Sequence, residues 1–217
     1  MSIQTKIAPK IAVVGGTGDL GSAIARRLLA AGYPVIVGSR DTERASAAAA
    51  ALGAGGRGAS NVDAAREADV VIVTVPFASQ AVILASIAPV VQGKLLVDTT
   101  VPLQPPKVMR VQLPPEGSAA LCAQKLLGPG VTLCSAFHNV AAHKLATNAD
   151  IDCDVLVFGD DKAARERVVE IVNACRLRGL HGGALANSAA AEALTSVLIF
   201  VNKHYAVDGA GLRITGP

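Results

Sequence analysis

The chain has 217 residues, of which 51% are hydrophobic and 17% charged, and its formal net charge is +3. A chain of this length buries enough surface to fold without disulfide or metal staples, as one large domain or as a nucleotide-binding domain with a smaller lobe. The mild charge, the lack of a dense basic run and an aromatic content of 3% give no support to nucleic-acid binding, so we expect no nucleic-acid partner.

Cysteine spacing gives no sign of a disulfide framework or a metal site. The four cysteines are scattered, without a Cys-x-x-Cys pair or a His/Cys cluster at zinc spacing: Cys122, Cys134, Cys153 and Cys175. This pattern indicates reduced, buried thiols and no bound metal.

One uncharged stretch, 70–92, is long enough to span a bilayer, but Pro76, Pro89 and several polar residues interrupt it. Its VVIVTV segment predicts a buried strand, followed by a turn and a helix. The first ten residues lack the apolar segment of a secretory signal. We therefore expect a cytoplasmic protein with no membrane partner.

Strands and helices are predicted to alternate through the first half of the chain. Strands rich in apolar residues are expected at 10–15, 34–38, 70–76 and 94–100. Helices are expected at 19–32, which Gly32 ends, at 41–53, and as a short segment within 61–69 after a weak third strand. The series predicts an α/β fold with a Rossmann-type, doubly wound parallel sheet.

The second half continues the alternation after a proline-rich loop at 101–115. The pattern predicts strands at 131–137 and 154–159 and helices at 119–127, 163–174 and 188–205. We place a nucleotide-binding Rossmann domain over 1–138 and a small C-terminal lobe over 139–217, which contributes to the site of a second substrate. The last helix is apolar along much of its length, and we expect it to make a homodimer contact.

A glycine-rich loop follows the first predicted strand and opens the first predicted helix. It reads Gly16-Thr17-Gly18-Asp19-Leu20-Gly21, the G-x-G-x-x-G pattern. Gly16 is expected to permit the tight turn, Gly18 to let a pyrophosphate approach the backbone, and Gly21 to let the helix pack on the strand. Backbone N–H groups and the helix dipole then hold the phosphates. Asp19 is placed where it can cap the helix, and we assign it backbone contacts only.

The second predicted strand ends in VIVGSRDTERA, where sites specific for NAD usually carry an acid. Ser39 and Arg40 stand at this tip instead, and Arg44 lies one helical turn further. A hydroxyl and two guanidinium groups suit the 2′-phosphate of NADP. Asp41 is either a displaced ribose ligand of an NAD enzyme or the N-cap of the next helix, and we favour the cap and therefore NADP.

Four segments together resemble one family over nearly the whole chain. They are IAVVGGTGDLG, VIVGSRDTERA, DVVIVTVPF and SAFHNVAAHKL, and the family is that of the NADPH-dependent F420 reductases, also called F420H2:NADP oxidoreductases. The resemblance implies a homodimer with a Rossmann fold and a small C-terminal lobe. It also implies hydride transfer between the nicotinamide of NADP and C5 of the deazaflavin coenzyme F420.

The resemblance also implies roles for individual residues. Pyrophosphate contacts fall on Thr17, Gly18, Asp19 and Leu20, and 2′-phosphate contacts on Ser39, Arg40 and Arg44. Val75 and Ser79 would flank the nucleotide, Val101 and Ala142 would contact the nicotinamide end, and His138 matches a position beside the deazaflavin.

Hydride transfer between two flat rings requires close stacking and little acid/base machinery. Val75-Pro76 and Val101-Pro102 close two predicted strand ends, where small apolar side chains would let the rings approach. His138 either hydrogen-bonds the deazaflavin and stabilises charge on the reduced ring, or is a structural histidine satisfied by the backbone. We carry it as the candidate catalytic residue.

Two other functions are compatible with the sequence. One is an NADPH-dependent reductase of flavin, ferric complexes or a small carbonyl or imine, since the scaffold also resembles the NADPH-binding domain of some metalloreductases. The carbonyl or imine version lacks a clear proton donor, the nearest being Lys144 and Tyr205. The other is a non-catalytic NADP-binding sensor.

Overall fold

The computed structural model describes residues 8–53 and 55–216. Residues 1–7, which make up most of the segment examined for a secretory signal, lie outside this description. Within the described residues the helices and strands alternate along most of the chain, and the strands form one sheet.

The sheet has eight strands in the order β3-β2-β1-β4-β5-β6-β7-β8. They are β1 Ile11–Val14, β2 Val35–Ser39, β3 Gly56–Ser60, β4 Val70–Val73, β5 Leu95–Asp98, β6 Thr132–Ser135, β7 Asp154–Gly159 and β8 Arg178–Gly183. Strands β1 to β6 are parallel, β7 pairs antiparallel with β6, and β8 is parallel to β7. The central strands β1, β4 and β5 are buried on both faces. This burial explains why their sequences are almost continuously apolar.

Helices cover both faces of the sheet. They are α1 Asp19–Ala30, α2 Thr42–Leu52, α3 Asn61–Glu67, α4 Phe77–Ile87, α5 Ala119–Leu127, α6 Ala142–Leu145, α7 Lys162–Ala174 and α8 Ser188–Tyr205. On one face of the sheet a hydrophobic core packs against α1, α2 and α7, and on the opposite face a second core packs against α3, α4 and α5. The predicted doubly wound α/β fold is confirmed, with a sheet that is mostly rather than wholly parallel.

Strand β8 and the short helix α6 have no counterpart in the sequence-based prediction. The β8 sequence, RGLHGG, lacks the apolar alternation that marks a strand. Its glycines serve close packing instead: a Cβ at Gly182 would lie 2.2 Å from the Phe158 ring, and one at Gly179 would lie 3.2 Å from Val172. Because one continuous sheet crosses residue 138, the division into 1–138 and 139–217 stays a prediction.

Helix α8 packs one face on the protein and exposes the other. Its buried residues are Ser188, Ala191, Glu192 and Ser196. Val197 and Phe200 on the same helix are 46% and 50% exposed. Within the described chain, one helical stretch, Leu185–Tyr205, is long and apolar enough to cross a membrane, with 28% of its apolar window buried.

The cysteines are free thiols, as predicted, and three of them are buried: Cys134, Cys153 and Cys175. Burial raises the pKa of Cys134 and of Cys175 to about 12, so both are protonated at neutral pH. Cys122 is only partly buried, and burial together with a hydrogen bond to Glu116 raises its pKa to about 11. Among residues 8–53 and 55–216 there is no group of three or more His, Cys, Asp or Glu side chains that could hold a metal ion.

Candidate functional site

A cavity of about 280 Å³ lies at the carboxyl ends of β1, β2 and β4. Strands β1 and β4 are neighbours in the sheet, and the chain proceeds from them in opposite directions, which makes this the topological switch point. The lining comprises Gly15, Thr17, Gly18, Ser39, Arg40, Asp41, Arg44, Asn61, Thr74, Val75, Pro76, Ser79 and Ile83. Many of these are the residues that the sequence predicted for a nucleotide site.

The glycine loop turns at a different residue from the predicted one. Gly15 has the left-handed conformation, with φ of +77°, whereas Gly16 does not. Gly16 is required instead because the loop packs closely on β1: a Cβ at this position would lie 2.7 Å from the carbonyl oxygen of Val13. A Cβ at Gly21 would lie 2.5 Å from Thr74 Oγ1, so this glycine lets α1 pack on the sheet, as predicted.

The N-terminus of α1 faces the cavity with free donors. Gly18, not Asp19, is the N-cap, and no side chain of the described residues caps the helix. Asp19 is exposed and begins the helix. In the described chain, the N–H groups of Thr17, Asp19 and Leu20 donate to no protein acceptor. Together with the helix dipole, these groups form an anion-binding site.

Asn61 is a site residue that the sequence analysis missed. Its Oδ1 atom accepts a hydrogen bond of 3.2 Å from the Gly15 N–H, and the residue is only 6% exposed. A Cβ at Gly38 would lie 2.9 Å from the same oxygen, so the glycine makes room for the amide. Asn61 therefore holds the glycine loop against the end of β3. Its position directly after a strand, at the same sheet edge as the glycine loop, is the signal that could have identified it.

The tip of β2 presents two cations that are unpaired among the described residues. Ser39 Oγ accepts from the Asp41 N–H at 3.2 Å, and Asp41 Oδ1 accepts from the N–H groups of Glu43 and Arg44 at 3.0 and 3.1 Å. This confirms Asp41 as the N-cap of α2. The guanidinium groups of Arg40 and Arg44 make no hydrogen bond or ion pair within the described residues, and both line the cavity. They are available to a phosphate.

The opposite wall is formed where β4 passes into α4. Val75 and Pro76 follow the strand, which ends at Val73, earlier than predicted. Pro76 is the N-cap of α4, and its carbonyl oxygen accepts from the Ser79 N–H at 2.8 Å. This wall is therefore partly apolar and leads from the glycine loop towards the end of β5.

Seven predicted site residues lie outside the cavity lining: four belong to the glycine loop beside it, Gly16, Asp19, Leu20 and Gly21, and three lie elsewhere, Val101, Ala142 and His138. Val101, three residues after β5, and Ala142, the first residue of α6, are both partly buried. His138 follows β6 and is only 6% exposed. The structure does not bring these last three residues together with the glycine loop in one cavity, and their roles at the nicotinamide end stay predictions.

His138 is a buried and neutral histidine. Burial lowers its pKa to about 4, and neither ring nitrogen has a hydrogen-bond partner in the part of the chain that the structure describes. Only its carbonyl oxygen is bonded, to Thr195 Oγ1 at 2.9 Å, and its ring centroid lies 6.3 Å from that of Phe158. The ring therefore lacks the backbone partners that a purely structural role would provide.

The site as a whole suits a nucleotide that carries a pyrophosphate and a further phosphate. The first would meet the free N–H groups at the start of α1, and the second would meet Ser39, Arg40 and Arg44 at the tip of β2. No protein carboxylate within the described residues neutralises either guanidinium group.

Comparison with known proteins supports this chemistry. Residues 10–102 match the family model described as NADP oxidoreductase coenzyme F420-dependent. The chain is 42% identical to the F420-dependent NADP reductase of Methanothermobacter thermautotrophicus, over 95% of this chain and 94% of that protein. It is 37% identical to the enzyme of the same name from Methanothermobacter marburgensis, over 95% and 98% of the two chains. A crystal structure from Arthrobacter sp. FB24, described as a candidate F420-dependent NADP-reductase, superimposes with a TM-score of 0.85 at 24% identity, over 96% of this chain and all of that one.

Proposed function

Since the chain belongs to the family of F420-dependent NADP reductases, we propose that it catalyses hydride transfer between NADP(H) and coenzyme F420. The observation that carries the proposal is the 42% identity to a curated F420-dependent NADP reductase over 95% of the chain. The free N–H groups of the glycine loop and the unpaired cations at the β2 tip, both seen within the described residues, independently support the proposal that the protein binds NADP.

The NADP-binding residues divide into three groups by the part of the nucleotide they would hold. Around the pyrophosphate stand Gly16, Thr17, Gly18, Asp19, Leu20 and Gly21, through backbone N–H groups or close packing. Ser39, Arg40 and Arg44 would hold the 2′-phosphate. Val75, Pro76, Ser79, Val101 and Ala142 would line the path to the nicotinamide.

The two coenzymes would supply the redox chemistry when bound, as a direct hydride exchange between nicotinamide and deazaflavin. The protein must align the two rings and exclude water from them. The small apolar side chains of Val75 and Val101 permit a close approach. His138, which is neutral and has no ring partner among the described residues, would donate a hydrogen bond to the deazaflavin from one ring nitrogen.

The proposed activity can be tested with purified protein, NADP and chemically reduced F420. We expect oxidised F420 and NADPH to appear together in the absorbance spectrum, at equal rates. Parallel reactions with NADPH and FMN test the flavin reductase alternative. Turnover of FMN without turnover of F420 would overturn the proposal, and tight NADPH binding without turnover of either acceptor would indicate a sensor.

We further propose that the protein is a cytoplasmic homodimer and that α8 forms the contact. Val197 and Phe200 lie exposed on this helix, close in sequence to Tyr205, which is 70% exposed. Large apolar side chains left exposed on a helix that otherwise packs on the protein are typical of an interface between subunits. The family resemblance implies the same assembly.

Phe200→Asp should weaken the dimer because it buries a charge in an apolar interface. We expect the dissociation constant to rise at least about tenfold, as measured by sedimentation equilibrium. Val82→Asp is the matched control, because Val82 is also an exposed aliphatic residue, at 73%, on a different helix. Equal effects of both substitutions, or a monomeric parent protein, would exclude the α8 contact.

A further inference from the structure

A buried carboxylate without a cation lies at the end of β5. Asp98 is 1% exposed and pairs with no Arg or Lys of the described chain. Its Oδ1 atom accepts from Thr100 Oγ1 at 2.6 Å and from the Thr100 N–H at 3.2 Å, and its Oδ2 atom accepts from Gln80 Nε2 at 2.7 Å. Burial raises its pKa to about 6, so it is largely ionised at neutral pH and held by neutral donors alone.

These contacts fix the segment that leads from β5 to Val101. Thr99 donates twice to the carbonyl oxygen of Val73, from its N–H at 3.1 Å and from its hydroxyl at 3.0 Å. The Thr100 hydroxyl, which donates to Asp98, also lies 3.5 Å from the carbonyl oxygen of Val75. The Asp98 side chain thus orients Thr100, whose hydroxyl lies against the segment after β4 at Val75.

A second buried carboxylate belongs to the same network. Gln80 Nε2 also donates to the carbonyl oxygen of Ala119 at 3.0 Å. Glu192 on α8, 1% exposed, accepts from the N–H groups of Ala119 and Ala120 at 2.6 and 3.1 Å, and thereby caps α5 from another helix. Burial raises its pKa to about 7, and the charge of Asp98 contributes. The network therefore connects the end of β5 to α4, α5 and α8.

Such an arrangement is costly if its only role is to hold the fold. A buried carboxylate without a cation loses its hydration, and an apolar side chain of similar volume would fill the space at a lower cost. What the carboxylate provides and an apolar residue cannot is a fixed orientation of both Thr100 donors. Carboxylates retained under these conditions are frequently associated with functional sites.

We propose that Asp98 is a positioning residue for hydride transfer: through Thr100, its carboxylate sets the spacing between Val75 and Val101, where the nicotinamide ring is expected to lie. The proposal rests on the proposed NADP site. Small displacements of reacting groups reduce rates strongly, so a segment that moves by about 1 Å can lower kcat by about a hundredfold. Binding of the phosphates, at the other end of the crevice, should not change.

The test compares three variants with the parent protein. Asp98→Leu removes the acceptor, and Thr100→Val removes the donor hydroxyl with little change of shape. For both we expect kcat with F420 to fall about tenfold to a hundredfold, while the Kd for NADPH from fluorescence titration stays within about twofold. Asp98→Asn keeps an oxygen for Thr100, although its amide NH2 group would face Gln80 Nε2, and should recover part of the lost kcat. The kcat of the double variant, with Asp98→Leu and Thr100→Val combined, should be no lower than that of either single variant, because each substitution removes the same interaction.

A second readout does not depend on F420. The emission of bound NADPH reports the environment of the nicotinamide ring, so Asp98→Leu should shift it towards that of free NADPH at unchanged Kd. If no protein turns over F420 and this shift is still seen, the proposed substrate is wrong and the positioning role stands. If turnover is normal and Asp98→Leu changes neither kcat nor the emission, the positioning role is wrong.

Ser188→Ala serves as the control for a general loss of buried hydrogen bonds. The Ser188 hydroxyl contacts Ser118 Oγ at 3.0 Å and hydrogen-bonds the carboxylate of Glu192, so its removal disturbs the Glu192 end of the network without touching Asp98. Its removal should lower the melting temperature without changing kcat. A fall of kcat in Asp98→Leu that merely matches its loss of folded protein, with a parallel weakening of NADPH binding, would reduce Asp98 to a structural residue and overturn the proposal.

Discussion

Replacing Arg40 with alanine should raise the KM for NADPH about tenfold to a hundredfold, corresponding to the roughly 1.5–3 kcal/mol of a hydrogen bond to a charged group. The KM for NADH should stay nearly unchanged, because NADH lacks the 2′-phosphate. The structural reason is that Arg40 lines the cavity at the tip of β2 with a guanidinium group that no carboxylate of the described residues neutralises. Steady-state kinetics with both nucleotides measures the effect directly.

Arg44 should act together with Arg40. Both guanidinium groups border the same cavity, and Asp41 between them uses its Oδ1 atom to cap α2. We expect the double variant to lose most of the preference for NADPH. Arg167→Ala is the matched control, because Arg167 is an exposed arginine on α7, outside the cavity lining. An equal rise in KM for NADPH and NADH in Arg40→Ala would contradict the assignment of the 2′-phosphate.

The parts of the fold that could be predicted are those with local or strongly periodic signals. Strands β1 and β4 are unbroken apolar runs because both of their faces are buried. The position of Asp41 was also predictable, since an N-cap depends only on the residues that follow it within one turn. The glycine loop was recognised as a pattern, although the turn itself depends on Gly15, which precedes the pattern.

The parts that could not be predicted depend on contacts between distant residues. Asn61 bonds the backbone of Gly15, 46 positions away, and Glu192 caps a helix that begins 73 positions earlier. The local sequence of Glu192 does not indicate its partner, and that of Asn61 indicates only the sheet edge at which it lies. Strand β8 was missed for a related reason, because its glycines are required by the Phe158 ring and by α7 rather than by a strand pattern.

Arg27 is a further long-range contact, and we expect it to have the largest effect on stability. It is 5% exposed, and burial, followed by the nearby charge of Arg176, lowers its pKa. Its guanidinium group donates to four carbonyl oxygens of the second half of the chain, those of Leu145, Thr147, Ala149 and Cys175, at 3.0, 2.8, 2.8 and 3.1 Å. One side chain of α1 thus holds the end of α6, the following loop and the end of α7.

Arg27→Met should lower the free energy of unfolding by at least about 3 kcal/mol, because it leaves several partly buried carbonyl oxygens without a donor. For a chain of this length, this corresponds to a fall in Tm on the order of 6–12 °C. Urea denaturation followed by circular dichroism measures the free energy, and calorimetry measures Tm. The free energy of unfolding of Arg27→Lys should lie between those of the parent and Arg27→Met, because a lysine ammonium cannot reproduce the several hydrogen bonds of the planar guanidinium group.

Arg26 provides a matched control at the adjacent position. It is exposed on the same helix, and no hydrogen bond or ion pair within the described residues involves its side chain. Arg26→Met should therefore change the free energy of unfolding by no more than about 0.5 kcal/mol. If the two methionine variants unfold at the same urea concentration, the desolvation cost of the buried guanidinium cancels its four hydrogen bonds. In that case the attachment of α6 to α1 must come from apolar packing around Leu145.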